Sequence, residues 1–261
     1  MLLTRGLLKL PVCAIAVLCL AAFDGGIASA DWTQSEFTYN GKPVIEHHCA
    51  PSSAVPAPAI ILLHGAGPRG AGDVVMEDTC EDLAGAGYYT EFIEYYSQTD
   101  DVVPGEEGRI KALFPVWLGE IGAGLDAMGK NPKIDPKRIG MLGYSLGAFL
   151  SLSTGATAPG KVAAIVEYYG GLPPALSPMA ANLPPTLILH GDADTLVPVA
   201  EAYDLDKLMT QANRPHEMKI YPGAGHAFNF SVPTVYKDSA AKDAWTRALN
   251  FFAKYLAGQP A

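Results

Sequence analysis

The stretches AIILLH, RIGMLGY, VAAIVEYYG and TLILHG are almost unbroken apolar runs, and they limit most strongly what this chain can fold into. A strand with one wet face alternates apolar and polar residues. A strand that does not alternate is covered on both faces, and such strands are mostly parallel. Helical patterns separate the runs: Asp73 to Ala86, Ile110 to Met128, AFLSLSTG, VAEAYDLDKLMTQAN and the closing KDSAAKDAWTRALNFFAKYLA. Strands alternating with helices predict an α/β fold, a mainly parallel sheet with helices on both faces. FTYNGKPVIEHH predicts two short strands around an Asn-Gly turn, YYTEFIEYY a strand from Tyr88 to Tyr96, and EMKIYPG another strand. NPKIDPK reads as a turn leading into RIGMLGY, Pro115 as an irregularity in the long helix, and GLPPALSPMAANLPP as an irregular link. Neither that link nor the loop from Ser97 to Gly108 is long enough for a large lid, which predicts an open, shallow pocket.

Residues 1–30 have a different character. Arg5 and Lys9 precede the apolar run PVCAIAVLCLAAF, and GIASA places small residues just before Asp31. This pattern predicts a cleaved secretory signal, so that 31–261 forms a single catalytic domain exported to the periplasm or the medium. An uncleaved N-terminal anchor is the alternative, although the run is short for spanning a bilayer. The 261-residue chain has 18 basic and 27 acidic residues, a net charge of −9. It becomes more acidic when Arg5, Lys9 and Asp24 leave with the signal. Such a surface repels phosphate backbones and anionic lipid, so neither nucleic acid nor, after signal cleavage, a membrane is expected as a partner. Cys13 and Cys19 leave as well. In an oxidising compartment the remaining Cys49 and Cys80 predict one disulfide, tying an early strand to a later helix; two separate buried thiols are the alternative. No Cys or His cluster has zinc-site spacing, and no metal is expected.

The chemistry centres on Gly143-Tyr144-Ser145-Leu146-Gly147, which fits the strand-turn-helix pattern G-x-S-x-G. A tight turn there raises Ser145 above the sheet and points the Leu146 N–H at a developing oxyanion. A serine at a helix start also serves as a cap, so the motif needs partners elsewhere. Of the histidines at 47, 48, 64, 190, 216 and 226, His226 in YPGAGHAF is the favoured base, because it lies in a glycine-bracketed loop after the last strand. LILHGDADTLVP offers two carboxylates at a strand end, Asp192 and Asp194, either of which could orient an imidazole. Nucleophile, carboxylate and histidine then follow in the chain order of an α/β-hydrolase triad. The early loop His64-Gly65-Ala66-Gly67 suits a second oxyanion donor, with Ala66 favoured, Gly67 close behind it, and His64 supporting the loop. Gly67, Tyr96, Tyr144 and Tyr169 are candidate pocket residues, with packing at the sheet edge as the alternative for each tyrosine.

ILLHGAG, DPKRIGMLGYSLGA, TLILHGDADTLVPVAEA and YPGAGHAF together resemble the dienelactone hydrolase branch of the α/β-hydrolases, from about Ile60 to the closing helix. The Asp194-x-x-Val197-Pro198 pattern is similar to that family's acid loop and favours Asp194 over Asp192, leaving Asp192 a turn-forming role. The best-known members carry cysteine where Ser145 stands, which makes this chain a serine-nucleophile variant. The resemblance implies the α/β-hydrolase fold and hydrolysis of a small-molecule ester or lactone through an acyl-enzyme, without cofactor. A peptidase or other acyl hydrolase on the same triad is one alternative, and a non-catalytic binding protein of the same fold is another.

Overall fold

The computed structural model of the protein describes residues 31–52, 56–68, 73–230 and 236–257; the expected signal segment lies outside them. The chain opens with a hairpin of β1 (Thr33–Tyr39) and β2 (Lys42–Cys49). Its two turn residues, Asn40 (φ 49°) and Gly41 (φ 74°), both take the left-handed conformation that a tight hairpin requires. Six further strands follow: β3 (Ala57–Leu63), β4 (Tyr89–Ile93), β5 (Ile134–Tyr144), β6 (Ala164–Tyr168), β7 (Thr186–Gly191) and β8 (His216–Tyr221). The sheet order is β1-β2-β4-β3-β5-β6-β7-β8. β2 runs antiparallel to β4, and every pair from β4 to β8 is parallel. This is the mainly parallel α/β architecture that the apolar runs predict. All residues of β6 and β7 are buried.

Helices α1 (Asp73–Gly85) and α5 (Asp238–Leu256) cover one face of the sheet, and α2 (Glu107–Met128), α3 (Leu146–Thr157) and α4 (Ala200–Gln211) cover the other. On α5 the alanines 240, 244 and 248 sit at four-residue spacing on the buried side. They let its backbone lie close to the sheet while Phe251 and Phe252 fill the remaining space.

The structure departs from the sequence expectations in four places. β4 ends at Ile93 rather than Tyr96, because the Tyr95 N–H turns back to the Ile93 carbonyl and the Ser97 N–H to that of Glu94. These turn bonds replace the ladder. α2 runs unbroken through Pro115, which lies on its exposed side, where water can solvate the carbonyl that proline leaves unpaired. β5 begins four residues early, at Ile134, and absorbs the excess as a register shift against Ala57 and Ala59. The proline-rich link contains a 3-10 helix, Pro174–Asn182.

From β3 the chain crosses through α1 to β4 on one side, whereas β5 lies on the other side. Loops leaving β3 and β5 therefore diverge, and the crevice between their carboxyl ends is where such a sheet takes ligands.

Cys49 at the end of β2 is joined to Cys80 on α1, both completely buried against Ala84. The link spans 31 residues of chain, so it restricts the unfolded state substantially. Replacing both cysteines with serine is expected to lower unfolding stability by about 3 kcal/mol, read as the midpoint shift in a urea titration.

Candidate active site

Residue 145 links strand β5 to helix α3 with no residues to spare. Its backbone sits at φ 53°, ψ −117°, a strained conformation for a residue with a side chain. The turn is held because the Ser145 N–H donates to the Tyr168 carbonyl at 3.0 Å and its own carbonyl starts α3 by accepting the Ala148 and Phe149 N–H groups. The two elbow glycines allow the close approach. A methyl at Gly147 would run into the Leu63 and His64 carbonyls, and one at Gly143 would run into the Gly147 carbonyl. Because residue 146 begins the helix, its N–H has no carbonyl one turn back and is free to point at an anion.

Two loops complete the arrangement. His226 lies past β8, in a loop whose Gly223 and Ala227 take positive φ. Its Nε2 is 3.0 Å from Ser145 Oγ and its Nδ1 is 2.7 Å from Asp194 Oδ2. With Nδ1 protonated, the ring donates to the carboxylate and accepts the serine proton. Asp194, whose side chain is wholly buried, accepts the Leu196 and Val197 N–H groups at Oδ1, at 2.8 and 2.9 Å. Burial disfavours its charge. Hydrogen bonds from His190, His226 and the Val197 N–H outweigh that and hold the carboxyl well below the usual range. Asp192 takes a separate part: its Oδ1 accepts the Gly223 N–H and so ties the acid loop to the histidine loop.

The His64 loop lies against the elbow. A methyl added at Gly65 would stand 3.3 Å from Ser145 Cβ, so this backbone passes directly beside the serine. Tyr95 supports the loop from below: its hydroxyl donates to the His64 carbonyl at 2.8 Å, and its ring stacks on the His64 ring at 4.2 Å. Gly67 forms an antiparallel bridge to Val102.

The tyrosines singled out as pocket candidates are buried: Tyr96 is 1%, Tyr144 3% and Tyr169 1% exposed. Tyr96 packs edge-on against His64 at 4.7 Å. Tyr144 points to the α1 and α5 face, where it borders a cavity of about 460 Å³ with Tyr168, Phe230 and Trp245. Tyr169 braces the histidine, its ring 4.6 Å from that of His226 and its hydroxyl donating to Asn229 Oδ1 at 2.8 Å.

Sequence reasoning passed over two residues behind the triad, His190 on β7 and Glu167 on β6. Both are fully buried. The available signal was a polar residue inside an otherwise apolar run, AIVEY and TLILHG. Glu167 Oε2 accepts the Gly170 N–H at 2.8 Å. Burial pushes this carboxyl up to about 7, against the pull of His190 and the Gly170 N–H. A carboxyl raised above its ordinary 4.5 contributes stability that is complete below that pH and lost as pH rises through about 7. Thermal melts at pH 5 and pH 8 are expected to show this decline, and Glu167→Gln to flatten it.

Eight mostly parallel strands with a serine, an imidazole and a carboxylate converging at their carboxyl ends define an α/β-hydrolase. Residues 46–256 match the model of the dienelactone hydrolase family, and the chain belongs to that family. A relative in Aquifex aeolicus, assigned as a carboxymethylenebutenolidase, is 26% identical over 228 residues, covering 85% of this chain and 97% of its own. A Bradyrhizobium relative, assigned as a 2-oxo-3-(5-oxofuran-2-ylidene)propanoate lactonase, is 24% identical over 247 residues, covering 88% and 96%. A solved Klebsiella pneumoniae structure, assigned as a dienelactone hydrolase, has a TM-score of 0.75 at 24% identity, covering 85% of this chain and 98% of that one; its likeness is one of fold.

Proposed function

We propose that the chain hydrolyses small carboxylic esters or lactones by a serine mechanism. The observation that carries this reading is the unbroken relay from Ser145 Oγ through His226 to Asp194, at 3.0 and 2.7 Å. His226 takes the Ser145 proton as Oγ attacks the substrate carbonyl, and Asp194 stabilises the imidazolium that forms. The tetrahedral oxyanion rests on the Leu146 N–H and on the Ala66 N–H from the neighbouring loop. His226 then protonates the leaving alkoxide, or the ring oxygen of an opened lactone, and an acyl-enzyme remains. Water deprotonated by the same imidazole attacks the acyl carbon and releases the acid. The chemistry calls for no cofactor. Relatives assigned to butenolide and furanone lactones support a lactone among the substrates.

A fluorophosphonate probe followed by peptide mapping tests the mechanism: covalent label on Ser145 is expected, and an unlabelled Ser145 overturns it. Export also belongs to this reading. The leader pattern of residues 1–30 and the Cys49–Cys80 disulfide both support an oxidising compartment. Amino-terminal sequencing of the exported protein is expected to begin at Asp31.

A further inference from the structure

The catalytic carboxylate is approached by two imidazoles. On the solvent side His226 binds Asp194 Oδ2; on the interior side His190 Nε2 lies 3.5 Å from the same oxygen and 2.9 Å from the Val197 carbonyl. Only a protonated Nε2 can serve two oxygen acceptors, so that nitrogen carries its hydrogen. The His190 side chain is wholly buried. Its Nδ1 has no hydrogen-bond partner among the described residues, and neither has Oε1 of buried Glu167. An aliphatic side chain could fill this space in the sheet without those desolvation costs.

We propose that His190, with Glu167 behind it, is a positioning residue that fixes Asp194 from the interior and sets the charge felt by the His226–Asp194 pair. This rests on the serine-hydrolase reading above. The groups around the His190 ring are carboxylates from separate elements: Glu167 on β6, Asp194 in the loop after β7, and Glu201 on α4, with His226 beyond Asp194. Burial opposes a charge on His190, but the Asp194 hydrogen bond and the Glu167 charge outweigh it and raise its affinity for a proton. A further proton, on Nδ1, makes the ring an imidazolium, and that charge steadies the Asp194 carboxylate and repels a proton arriving at His226.

The test uses two variants of the purified protein, with kcat, KM and the pH profile of kcat/KM read on a short p-nitrophenyl ester. His190→Leu removes both donor and charge; His190→Gln keeps an N–H but not the charge. The leucine variant is expected to lose about thirtyfold in kcat with KM within about threefold of the parent. The glutamine variant is expected to recover most of that loss. In both, the acid limb of the profile is expected to move to higher pH by about half a unit, because a nearby positive charge has gone. A purely structural role would lower the melting temperature and leave the limb in place. An unmoved limb in folded His190→Gln overturns the proposal even if the leucine variant does not fold, as does a leucine variant within threefold of parental kcat. Failure of the parent protein to take fluorophosphonate at Ser145 instead removes the hydrolase reading itself, whatever the His190 variants do.

Discussion

Replacing Ser145 with alanine is expected to lower kcat/KM for a short p-nitrophenyl ester at least about a thousandfold, with the melting curve unchanged. The change removes one oxygen from a site that otherwise stays assembled. The Leu146 N–H still heads α3, the Gly65 backbone still passes the elbow, and His226 remains bonded to Asp194 at 2.7 Å. What is lost is the covalent route. Water in place of Oγ has to be oriented at each turnover, and no acyl-enzyme divides the reaction into two easier steps. Equal rates in the two proteins would mean that hydrolysis proceeds without the serine. Retention of a tenth of the activity would point to a general-base mechanism through His226.

Asp194→Asn is expected to cost about a thousandfold to ten-thousandfold in kcat, although the side chain keeps its shape. One amide oxygen can still accept the Leu196 and Val197 N–H groups that now reach Oδ1. The amide nitrogen then faces His226, where it meets a donor with a donor. The ring relieves this by moving its hydrogen to Nε2, and in that tautomer it cannot accept the Ser145 proton. The same variant carries a stability signature. A carboxyl held below its ordinary range contributes stability that is present above that range and lost as pH falls through the depressed value. Acid titrations of unfolding are therefore expected to be less steep for Asp194→Asn than for the parent. Activity within tenfold of the parent would show that His226 keeps its working tautomer without the carboxylate.

The parallel sheet could be read from the sequence because AIILLH, VAAIVEYYG and TLILHG are apolar on both faces apart from isolated polar residues, a pattern that water-facing strands do not tolerate. The three site loops could be read for a related reason: Ser145 and Asp194 each follow such a run and His226 follows the mixed edge strand HEMKIY, so their placement at strand ends was inherited from the strands. Boundaries were harder to read. β4 stops at Ile93 because local turn bonds compete with the ladder, and the apolar character of Tyr95 and Tyr96 continues past that point. The aromatic content signalled burial but gave no direction. Tyr95 proved to support the His64 loop, Tyr169 to brace His226, and Tyr144 to pack toward α1 and α5 beside Tyr168 and Tyr169. Glu167 was hidden, and His190 stood unfavoured among the six histidines, because one polar residue in an apolar run has no periodicity of its own.

By itself, then, the amino-acid sequence determined which segments become covered strands, where the elbow turns, and the order in which hydroxyl, carboxylate and imidazole occur along the chain. Those follow from local pattern, since burial on two faces, a strand-to-helix turn and a glycine requirement each leave a mark within a few residues. Only the tertiary structure decided that Asp194 and not Asp192 meets His226, that Cys49 reaches Cys80, and that a second imidazole stands behind the catalytic carboxylate. The first two are distances between residues far apart in sequence, and the third depends on which way β7 aims a side chain only four residues before Asp194. They are fixed by sheet order and by the directions in which neighbouring strands aim their side chains, and neither is written in any one segment.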